Sequence, residues 1–195
     1  VYAMQSFDYY NPTRICFGKG SVSRVGEQIR QFAGSRVLIV YGGGHVERSG
    51  LLQQTERQLK EAGLEYLRFG GARPNPVMSH AQEGVRKALE FSADFILGIG
   101  GGSAIDTAKA IAVGAASPEI PLTEFYHRRQ AITKILPVGV ILTISAAGSE
   151  QSDSSVLTDE SEGVKISTSS DFNRPLFAIM DPELTYTVPK EHLRA

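Results

Sequence analysis

The stretch Phe95-Ile96-Leu97-Gly98-Ile99-Gly100-Gly101-Gly102-Ser103-Ala104-Ile105-Asp106-Thr107-Ala108-Lys109 runs from an apolar segment through three glycines and a serine into a segment rich in Ala, Ile and Val that lasts to Ala116. Phe95–Ile99 is too short and too continuously apolar for an amphipathic helix, so it reads as a buried parallel strand. Ala104–Ala116 reads as a helix buried on most of its sides, with Asp106 and Lys109 as its main polar exceptions. A glycine turn between a strand and a helix brings backbone close to a ligand, and the N–H groups at the helix start favour an anion such as a pyrophosphate. The competing explanation for the glycines is a tight turn that needs positive φ.

The same strand-and-helix grammar extends to both sides. Upstream, Val37–Tyr41 is a strand ending in a second glycine turn, Gly42, Gly43 and Gly44. The segment from about Gly50 to Ala62 is an amphipathic helix with Leu51, Leu52, Thr55 and Leu59 on one face. Leu64–Phe69 is a strand, and Pro76–Phe91 is a helix with Val85, Ala88 and Leu89 turned inward. Downstream, Leu136–Thr143 and Leu176–Met180 are apolar strands, and Arg14–Phe17 is a further candidate. Between Gln151 and Ser170, two alternating runs, Ser154–Thr158 and Val164–Thr168, read as an antiparallel hairpin laid on the main sheet. Pro189 with residues 190–195 looks like the first turn of another helix. The fold class is therefore α/β, a doubly wound and mostly parallel Rossmann-like sheet with an antiparallel hairpin.

Composition narrows the function. The chain has 195 residues, 42% of them hydrophobic and 21% charged, with no apolar run near the ~18 residues that a membrane span needs. Twenty Lys and Arg against 21 Asp and Glu give a net charge of −1, without the basic excess that holds nucleic acid. The single cysteine, Cys16, has no partner in the chain and no basic or helix-start context. It reads as a buried apolar residue in a reducing, cytoplasmic compartment. Val1–Ala3 precede Met4 and suggest a tag remnant.

Two glycine turns at strand ends could embrace one dinucleotide, although neither has the G-x-G-x-x-G spacing. Asp106 lies one helical turn after Ser103 on the same side as the turn. Such an acid in an apolar helix has either a functional partner or only the helix dipole to favour it. Thr143, Ser145, Ser149 and Glu150 place polar groups beyond another strand end. His45, His80, His127 and His192 show no metal-ligand spacing and read as surface or capping residues. The strand ending at Tyr41 carries no carboxylate until Glu47, and the Gly42–Gly44 turn with His45 suits a 2′-phosphate, so NADP(H) is expected over NAD(H).

In order along the chain, residues 11–20, Gly42 to Gly44, Pro74-Asn75-Pro76, Gly100 to Ser103 with Asp106-Thr107-Ala108-Lys109, Gly148-Ser149-Glu150 and Asp181-Pro182-Glu183-Leu184 resemble the iron-dependent (group III) alcohol dehydrogenases, of the NADP-using butanol dehydrogenase type. The resemblance implies an N-terminal nucleotide-binding α/β domain over 4–188 and, from 189 onward, an all-helical domain holding a divalent metal, Fe or Zn, on one Asp and three His. It implies that Gly100, Gly101, Gly102 and Ser103 hold the pyrophosphate and that Asp106 lies by the nicotinamide. Gly42, Gly43, Gly44 and His45 would face the adenosine ribose or its phosphate, and Asn75 the adenine side. Thr143, Ser152 and Lys165 would reach the cofactor. Ala147 stands where the family usually has Thr, removing one hydroxyl. No metal ligand falls within the chain, so it alone is expected to be inactive. The complete enzyme would be a homodimer passing hydride between NADP(H) and a small alcohol or aldehyde. The alternatives are a polyol dehydrogenase or dehydroquinate-synthase-like enzyme of the same architecture, and a nucleotide-binding module without catalysis.

Overall fold

The computed structural model describes residues 8–186. The stretch Val1–Ala3 expected to be a tag remnant and the helix start expected at Pro189 lie outside the described residues.

Six parallel strands form the central sheet: β1 (Arg14–Phe17), β2 (Arg36–Tyr41), β3 (Glu65–Phe69), β4 (Phe95–Gly100), β5 (Val138–Leu142) and β8 (Phe177–Met180), in the order β1-β8-β5-β4-β2-β3. Strands β6 (Ser154–Asp159) and β7 (Val164–Ser169) pair antiparallel as a separate two-stranded sheet. The helices are α1 (Val25–Gln31), α2 (His45–Arg48), α3 (Leu51–Glu61), α4 (Met78–Phe91), α5 (Gly102–Ala116) and α6 (Leu122–Tyr126).

Alternation along the strands builds two cores. Val37, Ile39, Phe95, Leu97, Ile99 and Ile179 face α1 and α3, while Leu38, Val40, Ile96, Val140 and Ala178 face α4 and α5. A third cluster lies beyond α5, where Ala110 and Val113 meet Phe125 and Tyr126 of α6 and Leu157 of β6. Helix α5 is thus covered on both sides. Ala104 and every following residue to Ala115 are buried, which is why the segment is apolar without periodicity. Small residues make the fit possible. A Cβ on Gly84 of α4 would lie 2.6 Å from Ile111 Cγ1, and one on Gly114 of α5 would meet Val85.

Three sequence expectations are corrected. The hairpin does not lie on the main sheet but packs against α5, with β7 against α6, because the α5 face of the sheet is already filled by α4 and α5. The helix expected from Pro76 begins at Met78. Asn75 has φ 57°, and Pro76–Val77 is extended, with Thr158 N–H donating to Pro76 O at 2.7 Å and a bridge from Val77 to Thr158. Leu89 is exposed rather than inward. The buried face of α4 is Met78, Ala81, Gly84 and Ala88, and Leu89 lies one residue further round, about 100° away. Helices α1, α2 and α6 were not expected at all.

Gly139 in the middle of β5 is another close approach, because a Cβ there would sit 2.9 Å from Phe177 Cε2 and nearer still to the rest of the ring edge. Phe177 is completely buried and stacks on Phe95 at 6.0 Å between centroids, so it cannot swing aside. Gly139→Ala should therefore cost about 2 kcal/mol through overpacking. Thermal unfolding should show a drop of roughly 4–8 °C, and an unchanged melting temperature would contradict this packing.

Candidate functional site

Strand order reverses between β2 and β4. From β2 the chain moves outward to β3, and from β4 it moves the other way to β5 and β8. Ligands of open parallel sheets sit beyond the carboxyl ends of the strands at such a switch point. Tyr41 pairs with Ile99, so the two glycine turns leave the sheet side by side.

The glycines have different reasons to be glycine. Gly100 has φ 150°, which an L residue rarely adopts, and supports the positive-φ explanation. Gly101 has φ −89°, and a Cβ there would meet Ile144 Cγ2 at 2.6 Å. Gly102 opens α5, and its Cβ would stand 3.2 Å from Ser149 Oγ and 3.5 Å from Ala147 Cβ. Gly43 has no positive φ, and a Cβ on it would meet no atom of the chain within 4 Å. Nothing in the described fold requires glycine at 43. A side chain at Gly44 would run into the Arg48 guanidinium, which lies against the turn. The Glu47 carboxylate is held away by the Tyr41 hydroxyl, which donates to it at 2.9 Å.

A groove of about 310 Å³ lies beside the start of α5, lined by Gly102, Ser103, Asp106, Asn75, Thr158 and Lys165 among others. Five of the residues singled out in the sequence meet there. Ser103 N–H, like that of Gly102, lies in the first turn of a fifteen-residue helix that has no side-chain cap. Lys165 Nζ donates to Asn75 Oδ1. The structure thus puts Asn75 at the Asp106 end rather than beside His45. His45 and Thr143 line a second depression of about 170 Å³ with Gln54 and Glu183. Thr143 N–H donates to Gly100 O at 3.1 Å, tying that depression to the turn. Ser152 lines neither space; its hydroxyl and carbonyl accept from Lys109 Nζ.

Asp106 is only 9% exposed. Its Oδ2 accepts from Val156 N–H at 3.2 Å, its carbonyl accepts from Ser155 Oγ at 2.9 Å, and its Oδ1 is buried without a partner. Burial pushes its carboxyl upward, opposed by Lys109, Val156 N–H and Ser149. Thr158 Oγ1 is a second buried polar atom without a partner at the groove. Sequence reasoning missed Thr158, which reaches the groove only because Pro76 captures its N–H. It also missed Val156, whose contribution is a backbone donor with no sequence signature.

Of the histidines, His127 caps the end of α6. His80 is half-buried rather than fully at the surface: its ring stacks on Phe69 at 4.6 Å between centroids, and burial lowers its pKa. His127 Nε2 lies 3.0 Å from Asp159 Oδ2, and the Ser161 hydroxyl and this imidazole hold the Asp159 carboxyl at about 2. With Glu162 these form the single His/Asp/Glu group among the described residues close enough to hold a metal, and it lies between the end of α6 and the hairpin turn rather than in the groove. The groove itself offers one carboxylate, Asp106, and no His or Cys, so its residues do not fit a divalent metal. Cys16 is 1% exposed, in the core as expected.

The model of the iron-containing alcohol dehydrogenase family matches residues 12–182. The chain is 40% identical, over 98% of its own length and 49% of the relative's, to NADH-dependent butanol dehydrogenase A of Clostridium acetobutylicum. It is 39% identical to the NADPH-dependent aldehyde reductase YqhD of Escherichia coli, over 95% of this chain and 48% of that protein. A crystal structure of NADH-dependent butanol dehydrogenase A from Thermotoga maritima superposes with a TM-score of 0.93 at 38% identity, covering 97% of this chain and 47% of that one. The chain thus spans about half the length of these relatives.

Because the charge on Asp106 is disfavoured by its surroundings, the folded state takes up a proton at higher pH than the unfolded chain does. The carboxylate therefore weakens the fold at neutral pH, and less so as pH falls through the folded pKa. Asp106→Asn keeps an acceptor for Val156 N–H without the charge. It should melt no lower than the parent at neutral pH, with its relative advantage shrinking in acid. Melting curves across acid to neutral pH check this, and a strongly destabilised variant would make Asp106 a structural residue.

Proposed function

The chain belongs to the iron-containing alcohol dehydrogenase family, and from that premise we propose that it is the cofactor-binding domain of an NADP(H)-dependent alcohol dehydrogenase or aldehyde reductase acting on small alcohols or aldehydes. The observation that carries this reading is the pair of glycine turns at the ends of β2 and β4, with Gly43 in a conformation and a space that the chain itself does not require. Butanol and aldehyde enzymes among the relatives favour it over a polyol dehydrogenase, a lyase or a module without catalysis.

In this reading, the first-turn N–H groups of α5 at Gly102 and Ser103 take the pyrophosphate, and the absence of a side chain at Gly102 admits it. Asp106 Oδ1 and Thr158 Oγ1, unpartnered at the groove, take the polar groups at the nicotinamide end together with the Lys165–Asn75 pair. Nicotinamide dinucleotide supplies or accepts the hydride. The groove walls from Pro76, Ala146 and Ala147 limit water around it. The groove residues do not fit the Fe or Zn of the family, so in this reading the group that polarises the alcohol or carbonyl oxygen is supplied from outside the groove.

The relatives' names include both NADH and NADPH, so the cofactor preference rests on the site. No carboxylate stands free beside Gly42 to Gly44, because Glu47 is engaged by Tyr41, and Arg48 lies over the turn where a 2′-phosphate would approach. A homodimer fits the open edge of β1, where Ile15 and Phe17 are exposed. The net charge of −1 argues against nucleic acid as a partner. No helix among the described residues is long and apolar enough to cross a membrane, and a lone buried cysteine fits the cytoplasm.

Fluorescence titration of the protein with NADPH and NADH tests the reading, with tighter NADPH binding expected; equal or tighter NADH binding overturns the preference. A Cβ at Gly42 would meet only Ala72 O, at 3.5 Å, so Gly42→Asp should fold and shift the preference toward NADH by roughly tenfold, about 1.4 kcal/mol. Gly102→Val should weaken both cofactors by at least about tenfold, with some loss of melting temperature because its Cβ would stand 3.2 Å from Ser149 Oγ. Normal binding by a folded Gly102→Val protein would reduce the turn to a structural role.

A further inference from the structure

Lys109 is completely buried, one turn beyond Asp106 on α5, and no lysine is an ordinary core residue. Its Nζ donates to Ser152 O at 2.8 Å, Ser154 O at 2.9 Å and Ser152 Oγ at 3.1 Å. An ammonium has three hydrogens, and here three acceptors converge on them. All three belong to the short segment by which the chain enters β6. The same segment is held from its far side by Arg174, whose Nη1 donates to Gln151 O at 2.8 Å.

What this segment sets is the register of β6 on α5. Two residues past Ser154, Val156 N–H meets Asp106 Oδ2; two further, Thr158 brings its unpartnered hydroxyl to the groove. Between Ser154 and Val156, Ser155 Oγ bonds the Asp106 carbonyl and the Tyr126 hydroxyl. A slip of one residue would turn Val156 and Thr158 to the other face. Resting on the cofactor reading above, we propose that Lys109 is the positioning residue for the nicotinamide end of the groove: it clamps the start of β6 so that Asp106 and Thr158 face the cofactor, and it does nothing for the adenosine end.

The electrostatics agree with a clamp rather than a contact. Burial lowers the Lys109 pKa to about 8, against the pull of Asp106 on its own helix and of Asp153 and Glu150 on the entry segment, with Arg174 adding to the lowering. The reading also gives Ser152 a place, since its hydroxyl acts on the groove through Lys109.

The discriminating pair of probes is NADPH and 2′,5′-ADP, which carries the adenosine half alone, each titrated into the intact protein. Saturable NADPH binding by the parent is required first, and its absence is a failure of the cofactor reading rather than of the role of Lys109. Lys109→Met keeps the length and removes the donors. It should bind NADPH about tenfold more weakly, the effect of one lost charge-assisted clamp, and bind 2′,5′-ADP as the parent does. Hydrogen exchange should quicken at residues 154–159 and stay unchanged at 96–99. NADPH binding equal to the parent's overturns the proposal, as does an equal loss for both probes or faster exchange throughout the sheet. If Lys109→Met does not fold, Lys109→Arg decides in the same assays. Its planar guanidinium cannot aim three hydrogens at one converging set of acceptors, so a selective loss of NADPH affinity is expected, and an unselective loss or none refutes the clamp.

Discussion

Everything near the groove depends on the fact that α5 has no side open to water. One flank rests on the sheet through Ile105, Ala108, Ile111 and Ala112, and the other is roofed by α6 and the hairpin through Ala110 and Val113. A helix in that position needs small residues where its neighbours come close, and it cannot leave a polar side chain unanswered. Gly84 and Gly114 answer the first demand. Asp106 and Lys109 raise the second, and the hairpin resolves it by offering backbone: a Val156 N–H to the acid, and the carbonyls of Ser152 and Ser154 to the base. The hairpin is therefore fastened to α5 by the two residues that the apolar pattern of the helix leaves conspicuous.

This arrangement explains a division of labour within one carboxylate. Asp106 Oδ2 is occupied by the fold, while Oδ1 is buried and unsatisfied. A fully structural acid would have both oxygens bonded, and a surface acid would have both in water. Half of Asp106 serves packing and half is held in reserve, at the cost of a carboxyl whose charge its surroundings disfavour. Functional sites commonly hold such locally unfavourable groups.

Much of this was legible in the residues, for physical reasons that differ by element. Apolar runs such as Phe95–Ile99 and Val37–Tyr41 announced the central strands because a sheet buried on both faces leaves no room for alternation. Amphipathic α3 showed its inner face through Leu51, Leu52, Thr55 and Leu59, all buried. The short helices α2 and α6 left no periodic signal, since four or five residues do not complete two turns. The hairpin was legible as two alternating strands, but what it packs on was not, because period-two patterning reports that a face is covered and not by what. The site divides the same way. The glycine turns and Asp106 stand out locally, whereas Asn75 joins the groove through a left-handed φ and the Pro76–Thr158 bond across the chain, and Thr158 carries no mark in the sequence.

The edge strand has a consequence for how the molecule is made. Among the described residues, β1 pairs only with β8, at the register of Arg14 with Phe177. A chain emerging from a ribosome can lay down β2, β3 and β4 with their helices as it goes, but Cys16 and the residues around it have no strand to join until β8 arrives. Until then this segment is an unpaired strand with apolar side chains, Ile15 and Phe17 among them, which is the kind of surface that invites chaperones or a neighbouring nascent chain. The arrival of β8 is thus what closes the sheet.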